Sequence, residues 1–369
     1  MSDTQERPTT QAAGRPVTGT TARPRAGDAK PNTGGARRGK PKPDPRISAL
    51  RRFAISITTF TILGHAWLGF EQAYITPVAA VLVAYAAELG LEVVDAWARR
   101  RPPKYERTVI GIVDFLLPAH ITGLACAMLL YANSRLAPVL LAVVIAIASK
   151  YLIQVNVGGR RRHVLNPSNA GIAVVLLLFP WVGIAPPYHF TEWVGGPVDW
   201  VIPAVILVSG TLLNAKLTKK TPLILGWVAG FAAQALIRTA IDGTETISAL
   251  LVMTGTAFIL YTNYMITDPG TTPVPPWRQV GFGLATAAVY GLLVHFHIVF
   301  GLFFALAITC ALRGIVLMVV GAWSRRAVPS SPAARPSGFP VIELPGAIAE
   351  RSKAGSKAGS RSGSRPDPI

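Results

Sequence analysis

Ten apolar stretches dominate the middle of this chain, and their length leaves it few places to fold other than a lipid bilayer. A helix needs roughly 20 mostly apolar residues to cross the hydrocarbon core. The stretches fall at 53–70, 73–94, 109–131, 136–153, 170–185, 198–213, 223–240, 247–265, 280–294 and 298–320. Several are short or hold Pro and Gly, which neighbouring helices accommodate inside a bundle. The expected fold class is therefore all-α: a polytopic integral membrane protein of about ten transmembrane helices.

Composition supports this reading through its unevenness. Apolar residues make up 51% and charged residues 15%, against roughly 25% charged in soluble proteins, yet the net charge is +18. The charge is segregated into the ends. Residues 1–52 and 324–369 are rich in Pro, Gly, Thr, Ser and basic residues. Such segments bury too little surface to offset their ordering entropy, so both are expected to be disordered basic tails around a ten-helix domain at 53–323. The tails lack interleaved aromatics or a folded module, so no nucleic-acid partner is expected. Basic tails beside membrane spans touch anionic lipid instead. The N-terminus has no apolar stretch of a cleavable signal peptide. Cys126 and Cys310 sit inside apolar runs and form neither a disulfide framework nor a metal-ligand spacing, so no metal is expected.

Loop charge sets the orientation. With the N-terminus inside, the even-numbered connections carry Arg99–Arg101, Lys104 and Arg107, then Lys150 and Arg160–Arg162, then Lys216, Lys219 and Lys220, then Arg278; the C-terminal tail opens with Arg325 and Arg326. The odd-numbered connections carry only Arg135 and Arg238, beside Glu71, Glu192, Asp199, Asp242 and Glu245. Every basic cluster falls on one side, and a miscounted span would break the alternation. Both termini are thus expected in the cytoplasm, with the chain multi-pass in the cell membrane. In the outer connection, Tyr188, His189, Trp193 and Trp200 fit an interfacial aromatic belt.

Two inner connections hold more than loop chemistry. In the first, Arg160-Arg161-Arg162-His163 precedes Asn166-Pro167-Ser168-Asn169-Ala170-Gly171. Pro suits a first helical turn and Asn caps it. A well-capped span is the plain reading; a helix start beside three arginines also attracts an anion or a polar ring edge. The second, Met265-Ile266-Thr267-Asp268-Pro269-Gly270-Thr271-Thr272-Pro273, ends the eighth span. Asp-Pro-Gly is a strong turn former, and Pro, Gly and a carboxylate at a span end also describe irregular backbone lining a cavity. The Asp268 carboxylate is expected to accept from the Thr271 or Thr272 N–H in an Asx-type turn or from a ligand, and Asn166 and Asp268 to border one polar cavity opening toward the cytoplasm.

These two motifs resemble a known family. The run from Met265 to Pro273 is similar to the signature of the RnfD proteins of Rnf electron-transport complexes and the NqrB proteins of sodium-pumping NADH:quinone reductases, and Asn166 to Gly171 is similar to their Asn-Pro helix start. The resemblance covers about 53–320. The stretches from Phe115 to Gly123 and from His163 to Asn169 look closer still to the UnbU-type membrane proteins of actinobacterial enediyne biosynthesis clusters. The resemblance implies flavin-associated electron transfer coupled to sodium or proton movement, or an accessory role in enediyne biosynthesis, with other membrane redox or biosynthetic proteins as partners. It implies Asn166, Pro167, Asn169, Gly171, Thr267, Asp268, Pro269, Thr271 and Thr272 as cofactor-binding residues. The family's flavin-attachment stretch, Asp-x-x-Ser-Gly-Ala-Thr, has no counterpart: Ser209-Gly210-Thr211 lacks its ending, and Thr221 follows two lysines. A covalent flavin is therefore not expected, and a non-covalent riboflavin or FMN is the cofactor the resemblance leaves.

Charges inside the spans complete the inventory. An ionisable group in hydrocarbon costs a few kcal/mol and normally faces a cavity or a partner. Glu88 and Asp114 are the candidates for an ion path, with His120 either beside them or bonding a neighbouring helix. Glu92 and Asp95 fit an interface beside Arg99–Arg101. A transporter or resistance protein on the same scaffold, without a redox cofactor, is the alternative function, and a scaffold for a biosynthetic complex is a third.

Overall fold

The computed structural model describes residues 45–105, 108–157, 159–186, 193–243 and 245–327. The basic tails up to 44 and from 328 onward, Gly158, and the loop residues Tyr188 and His189 lie outside them.

A helix stands at the place of each apolar stretch. In order they are α1 (Pro45–Leu63), α2 (Ile75–Ala98), α3 (Val109–Leu129), α4 (Ala137–Leu152), α5 (Pro167–Leu178), α6 (Val198–Leu213), α7 (Thr221–Asp242), α8 (Thr246–Leu251), α9 (Thr256–Leu260), α10 (Pro276–His295) and α11 (Gly301–Ala327). Two short antiparallel ribbons join them, β1 (Leu130–Tyr131) with β4 (Gly183–Ile184) and β2 (Gln154–Val157) with β3 (Arg160–His163). Helix α1 begins at Pro45, well before the tail boundary expected at 52, and α11 runs past 323. Arg51 and Arg52 are thus carried on helix, where long side chains can reach water while their stems stay on apolar surface.

Among the described residues, six helical segments are long and apolar enough to cross a membrane, and α8 with α9, bent by 63° and counted as one broken span, makes a seventh. Helices α4 and α5 are apolar but shorter, at 16 and 12 residues. At 1.5 Å per residue α5 extends about 18 Å, well short of a full crossing. The protein is predominantly helical and membrane-like. Its surface agrees: Val78, Leu82, Val93, Val205, Leu207 and Val316 all stand exposed. Ridges of exposed Val and Leu along helix after helix are costly in water and ordinary against lipid.

Inside the bundle the seams are built from small residues. Helix α7 buries Leu223, Gly226, Trp227, Gly230, Phe231 and Gln234, and packs most extensively on α10. A Cβ on Gly226 would lie 2.6 Å from the Val280 carbonyl oxygen, and one on Gly283 would lie 2.5 Å from that of Leu223. Two glycines thus bring the α7 and α10 backbones into contact, as small residues do between membrane helices. Gly171 does the same for α5 against the Ala142 carbonyl of α4.

The chain runs through one packing order twice. Helix α1 packs on α3, α2 on α4 and α4 on α5; then α6 packs on α9, α7 on α10 and α10 on α11. Both leading helices, α1 and α6, end in a single π turn, Gly64–Leu68 and Asn214–Thr218, closed by a left-handed residue, Gly69 and Lys219. The two passes run in opposite senses. The ends of α2 and α4 meet through Glu88 and Lys150, beside the starts of α1 and α3 joined by Arg51 and Asp114. The β2–β3 ribbon that follows α4 reaches Asp268, near the starts of α7 and α10. The ends of α7 and α10, joined by Asp242 and His295 at 3.1 Å, therefore stand at the far end of the bundle.

Candidate functional site

The two motif loops meet. Asn166 has extended backbone and caps α5, its side-chain oxygen accepting from the Asn169 N–H at 3.2 Å and from the Ser168 hydroxyl at 3.0 Å. Its amide nitrogen then donates 2.9 Å to the Met265 carbonyl, at the last residue of the π turn that ends the broken span. Asn169 donates to the Phe303 carbonyl of α11 at 3.0 Å, so the start of α5 is bonded to both the broken span and α11. Pro167 opens the helix, and Gly171 sits where only a glycine fits.

Asp268 organises its own loop. Its carboxylate accepts from the Gly270 N–H at 3.2 Å and the Thr271 hydroxyl at 2.9 Å, and the Thr272 hydroxyl donates 2.6 Å to its carbonyl. The Asx-type turn is thus present, but its backbone donor is Gly270 rather than Thr271 or Thr272, because the Pro269-Gly270 step turns the chain one residue sooner. Thr267 bonds back to the Asn263 carbonyl at 2.7 Å, and Pro269 is exposed. His163, at the end of β3, lies 3.7 Å from the Asp268 carboxylate. Burial would raise the Asp268 carboxyl, but His163, the Gly270 N–H and the Thr271 hydroxyl outweigh it and hold the group below its ordinary value.

Two cations that sequence reasoning does not single out clamp this loop. Lys220, buried at the start of α7, donates 2.7 Å to the Pro273 carbonyl, and Arg313 of α11 donates 2.8 Å to the Thr271 carbonyl. Burial brings the Lys220 ammonium down to about 8. Thr221, the residue nearest a flavin-attachment threonine by sequence, is exposed at the first position of α7. Ser209 bonds the Tyr264 hydroxyl at 2.8 Å, and Gly210 packs against Asn263.

A cavity of about 320 Å³ opens beside these loops, between the ends of α2 and α4, the start of α3 and the β2–β3 ribbon. Glu88, Asp114, Lys150, Tyr151, Arg161 and His163 line it. Asn166 and Asp268 do not; His163 is the link from Asp268 to the cavity. Glu88 is buried on the inward stripe of α2 that also carries Ala80, Ala84 and Glu92. Lys150 lies 2.5 Å from its carboxylate, and the Tyr151 hydroxyl stands 3.0 Å from Glu88 and 3.4 Å from Glu92. Glu92, fully buried, is held in turn by Arg101 at 2.6 Å and Lys104 at 3.0 Å, and Arg101 also pairs with Asp95. Carboxylates, a phenol and ammonium groups thus form one contact network around this cavity.

The other candidates take quieter places. Asp114 is clasped by both arms of Arg51, at 2.7 and 2.8 Å. His120 lies away from the cavity with both ring nitrogens engaged, by the Thr58 hydroxyl and the Tyr85 hydroxyl, each at 2.8 Å. It ties α1, α2 and α3 together, the helix-bonding alternative weighed for it. Among the described residues no group of three His, Cys, Asp or Glu is arranged to hold a metal. No protein-family model matches this chain, and no curated protein matches it.

Proposed function

We propose that this chain is a plasma-membrane protein of ten crossing segments, with both termini in the cytoplasm, that moves protons or a small cation through its helical bundle. The observation that carries the proposal is the contact chain Lys150–Glu88–Tyr151–Glu92–Lys104, which opens on a polar cavity at one end of the bundle. Burying two carboxylates among apolar helices is expensive, and apolar residues would hold the same helices together at less cost. A polar path for a proton or a small cation gives that expense a use. Beside the six full-length apolar helices, short α4 and α5, the broken α8–α9 and α10, which at 20 residues is not one of those six, complete the ten segments; half-length and discontinuous helices belong beside polar sites in transport bundles.

The test is ion uptake into liposomes reconstituted with the purified protein, driven by an imposed potential and followed with a pH-sensitive dye inside and with radioactive sodium. Uptake above that of empty liposomes is expected, falling about tenfold or more in Glu88→Gln. Uptake equal to empty liposomes for both ions would remove the proposal.

A second reading, electron transfer through a non-covalent flavin, draws support from the meeting of the Asn166 and Asp268 loops, the regions resembling flavin-bearing proteins. Most of the polar groups in both loops are already bonded to one another, which leaves little for a ring edge to engage. Detergent-purified protein with flavin absorption bands would favour this reading; a colourless preparation active in liposomes would favour the first.

A further inference from the structure

The far end of the bundle holds a second cavity, of about 390 Å³, between α7, α8 and α10. We infer that this cavity binds a small zwitterion with an apolar or aromatic body, an aromatic amino acid being the chemical type. The inference does not depend on ion movement through the first cavity.

The argument begins with the two passes of the chain. The first cavity lies among α2, α3 and α4, and the second lies among the elements that follow the same order in the second pass. The correspondence reaches single residues. Glu88 and Gln234 stand at the same position counted from the first residues of α2 and α7, Ile75 and Thr221. Tyr151 and Tyr290 stand at the same position counted from Ala137 and Pro276, the first residues of α4 and α10. Each of these four side chains lines its cavity. Each half therefore builds a cavity on the same two helix positions, and the opposite sense of the halves puts one at each end of the bundle.

What differs between them assigns the ligand. In the first half the deep position is a carboxylate paired with Lys150. In the second half it is the neutral amide of Gln234, and the position matching Lys150 is Val289. The Gln234 amide nitrogen donates 2.9 Å to the Phe231 carbonyl, while its buried oxygen has no partner among the described residues. The wall beside it is aromatic: Phe231 and Tyr290 stack with centroids 5.0 Å apart. The deep part thus suits an apolar ring.

The charges stand nearer the mouth. Arg238 follows Gln234 by one turn of α7, and Glu245 opens α8; both line the cavity. The Glu245 carbonyl accepts from the Ala249 N–H at 3.1 Å, but neither side chain has a hydrogen bond or ion pair among the described residues. The neighbouring Asp242 is taken by His295 at 3.1 Å. One unpaired cation and one unpaired carboxylate at a single mouth complement a carboxylate and an ammonium carried together on one small molecule. A purely anionic ligand would meet Glu245, and a purely cationic one would meet Arg238.

The test is equilibrium binding of radiolabelled L-phenylalanine to the full-length protein in lipid nanodiscs, with benzoate and phenethylamine as competitors carrying one charge each. Saturable binding is expected, weakened about tenfold or more by Arg238→Gln and by Glu245→Gln and abolished by Ala249→Trp, which fills the cavity. Each variant should elute and melt as the parent does. Both single-charge competitors should displace the ligand only at about tenfold or higher excess over L-phenylalanine itself. Three results would overturn the inference: no saturable binding to the parent, binding unchanged in Arg238→Gln and Glu245→Gln, or either competitor matching L-phenylalanine.

Discussion

Lys220 is the residue whose placement is hardest to justify by packing alone. An ammonium buried at the start of α7, with a single carbonyl acceptor at 2.7 Å, is disfavoured in its charged form. Its value falls from 10.5 to about 8, which corresponds to about 3 kcal/mol at neutral pH. The sign follows from proton counts. Between about 8 and 10.5 the unfolded chain holds the Lys220 proton and the folded protein does not, so stability rises with pH across that window and is flat in this term below it. Thermal melts in detergent should show the parent gaining stability from pH 8 to 10 and Lys220→Met lacking that gain. Identical slopes in the two proteins would show that Lys220 is not the titrating group. Asp268 supplies the anion that lifts the Lys220 value, so Asp268→Asn should move the rise to lower pH. Much of the motif end could be read from sequence at this scale: an Asn-Pro start and an Asp-Pro-Gly turn specify their own local geometry, and both formed. Lys150, Tyr151, Lys220 and Arg313 could not be read so, because each gains its role from a partner distant in sequence. The regular place of Tyr151 and Tyr290 on their helices was a signal available in sequence, legible only once the two halves are aligned.

At the scale of elements, hydropathy located every helix because the bilayer imposes one length and one polarity on a crossing segment. It did not give the short α5 or the break between α8 and α9. Pro180 bounds α5, and Gly255 adopts extended backbone at the break, yet Pro and Gly are ordinary inside membrane helices and do not announce a break by themselves. Nor does hydropathy reveal which glycine is a packing contact. Gly281 and Gly283 lie two positions apart on α10. A Cβ on Gly281 would meet nothing within 4 Å, whereas one on Gly283 would strike the α7 backbone. Gly283→Ala should therefore destabilise the protein by about 1–3 kcal/mol through separation of α7 from α10, while Gly281→Ala should be neutral or slightly stabilising. Melting of the two variants side by side checks this, and equal midpoints would mean that α7 and α10 do not rely on close backbone approach.

For the whole molecule, the distribution of basic residues and the contacts between helix ends give independent statements about direction. Loop charge puts 99–107, 150–162, 216–220 and 278 on one side. Contacts place Glu88 with Lys150, Asp114 with Arg51, and Asp268 with His163 at one end, and Asp242 with His295 at the other. Each of these pairs joins residues that a ten-segment alternation puts on the same side. The β1–β4 ribbon does likewise, joining the end of α3 to the chain beyond α5. Under the proposed ten segments, a chain that passes twice through five begins its second pass from the opposite side, which would set the two cavities at opposite ends. Single cysteines test the arrangement directly. Cys126 and Cys310 are buried and should stay silent toward an impermeant thiol reagent. Ser134, exposed between α3 and α4, should be labelled as Ser134→Cys in intact cells. Thr218→Cys, just before α7, should be protected until the cells are permeabilised. Labelling of Thr218→Cys without permeabilisation, or protection of Ser134→Cys, would reverse or break the alternation, and with it the assignment of the Glu88 cavity to the cytoplasmic side.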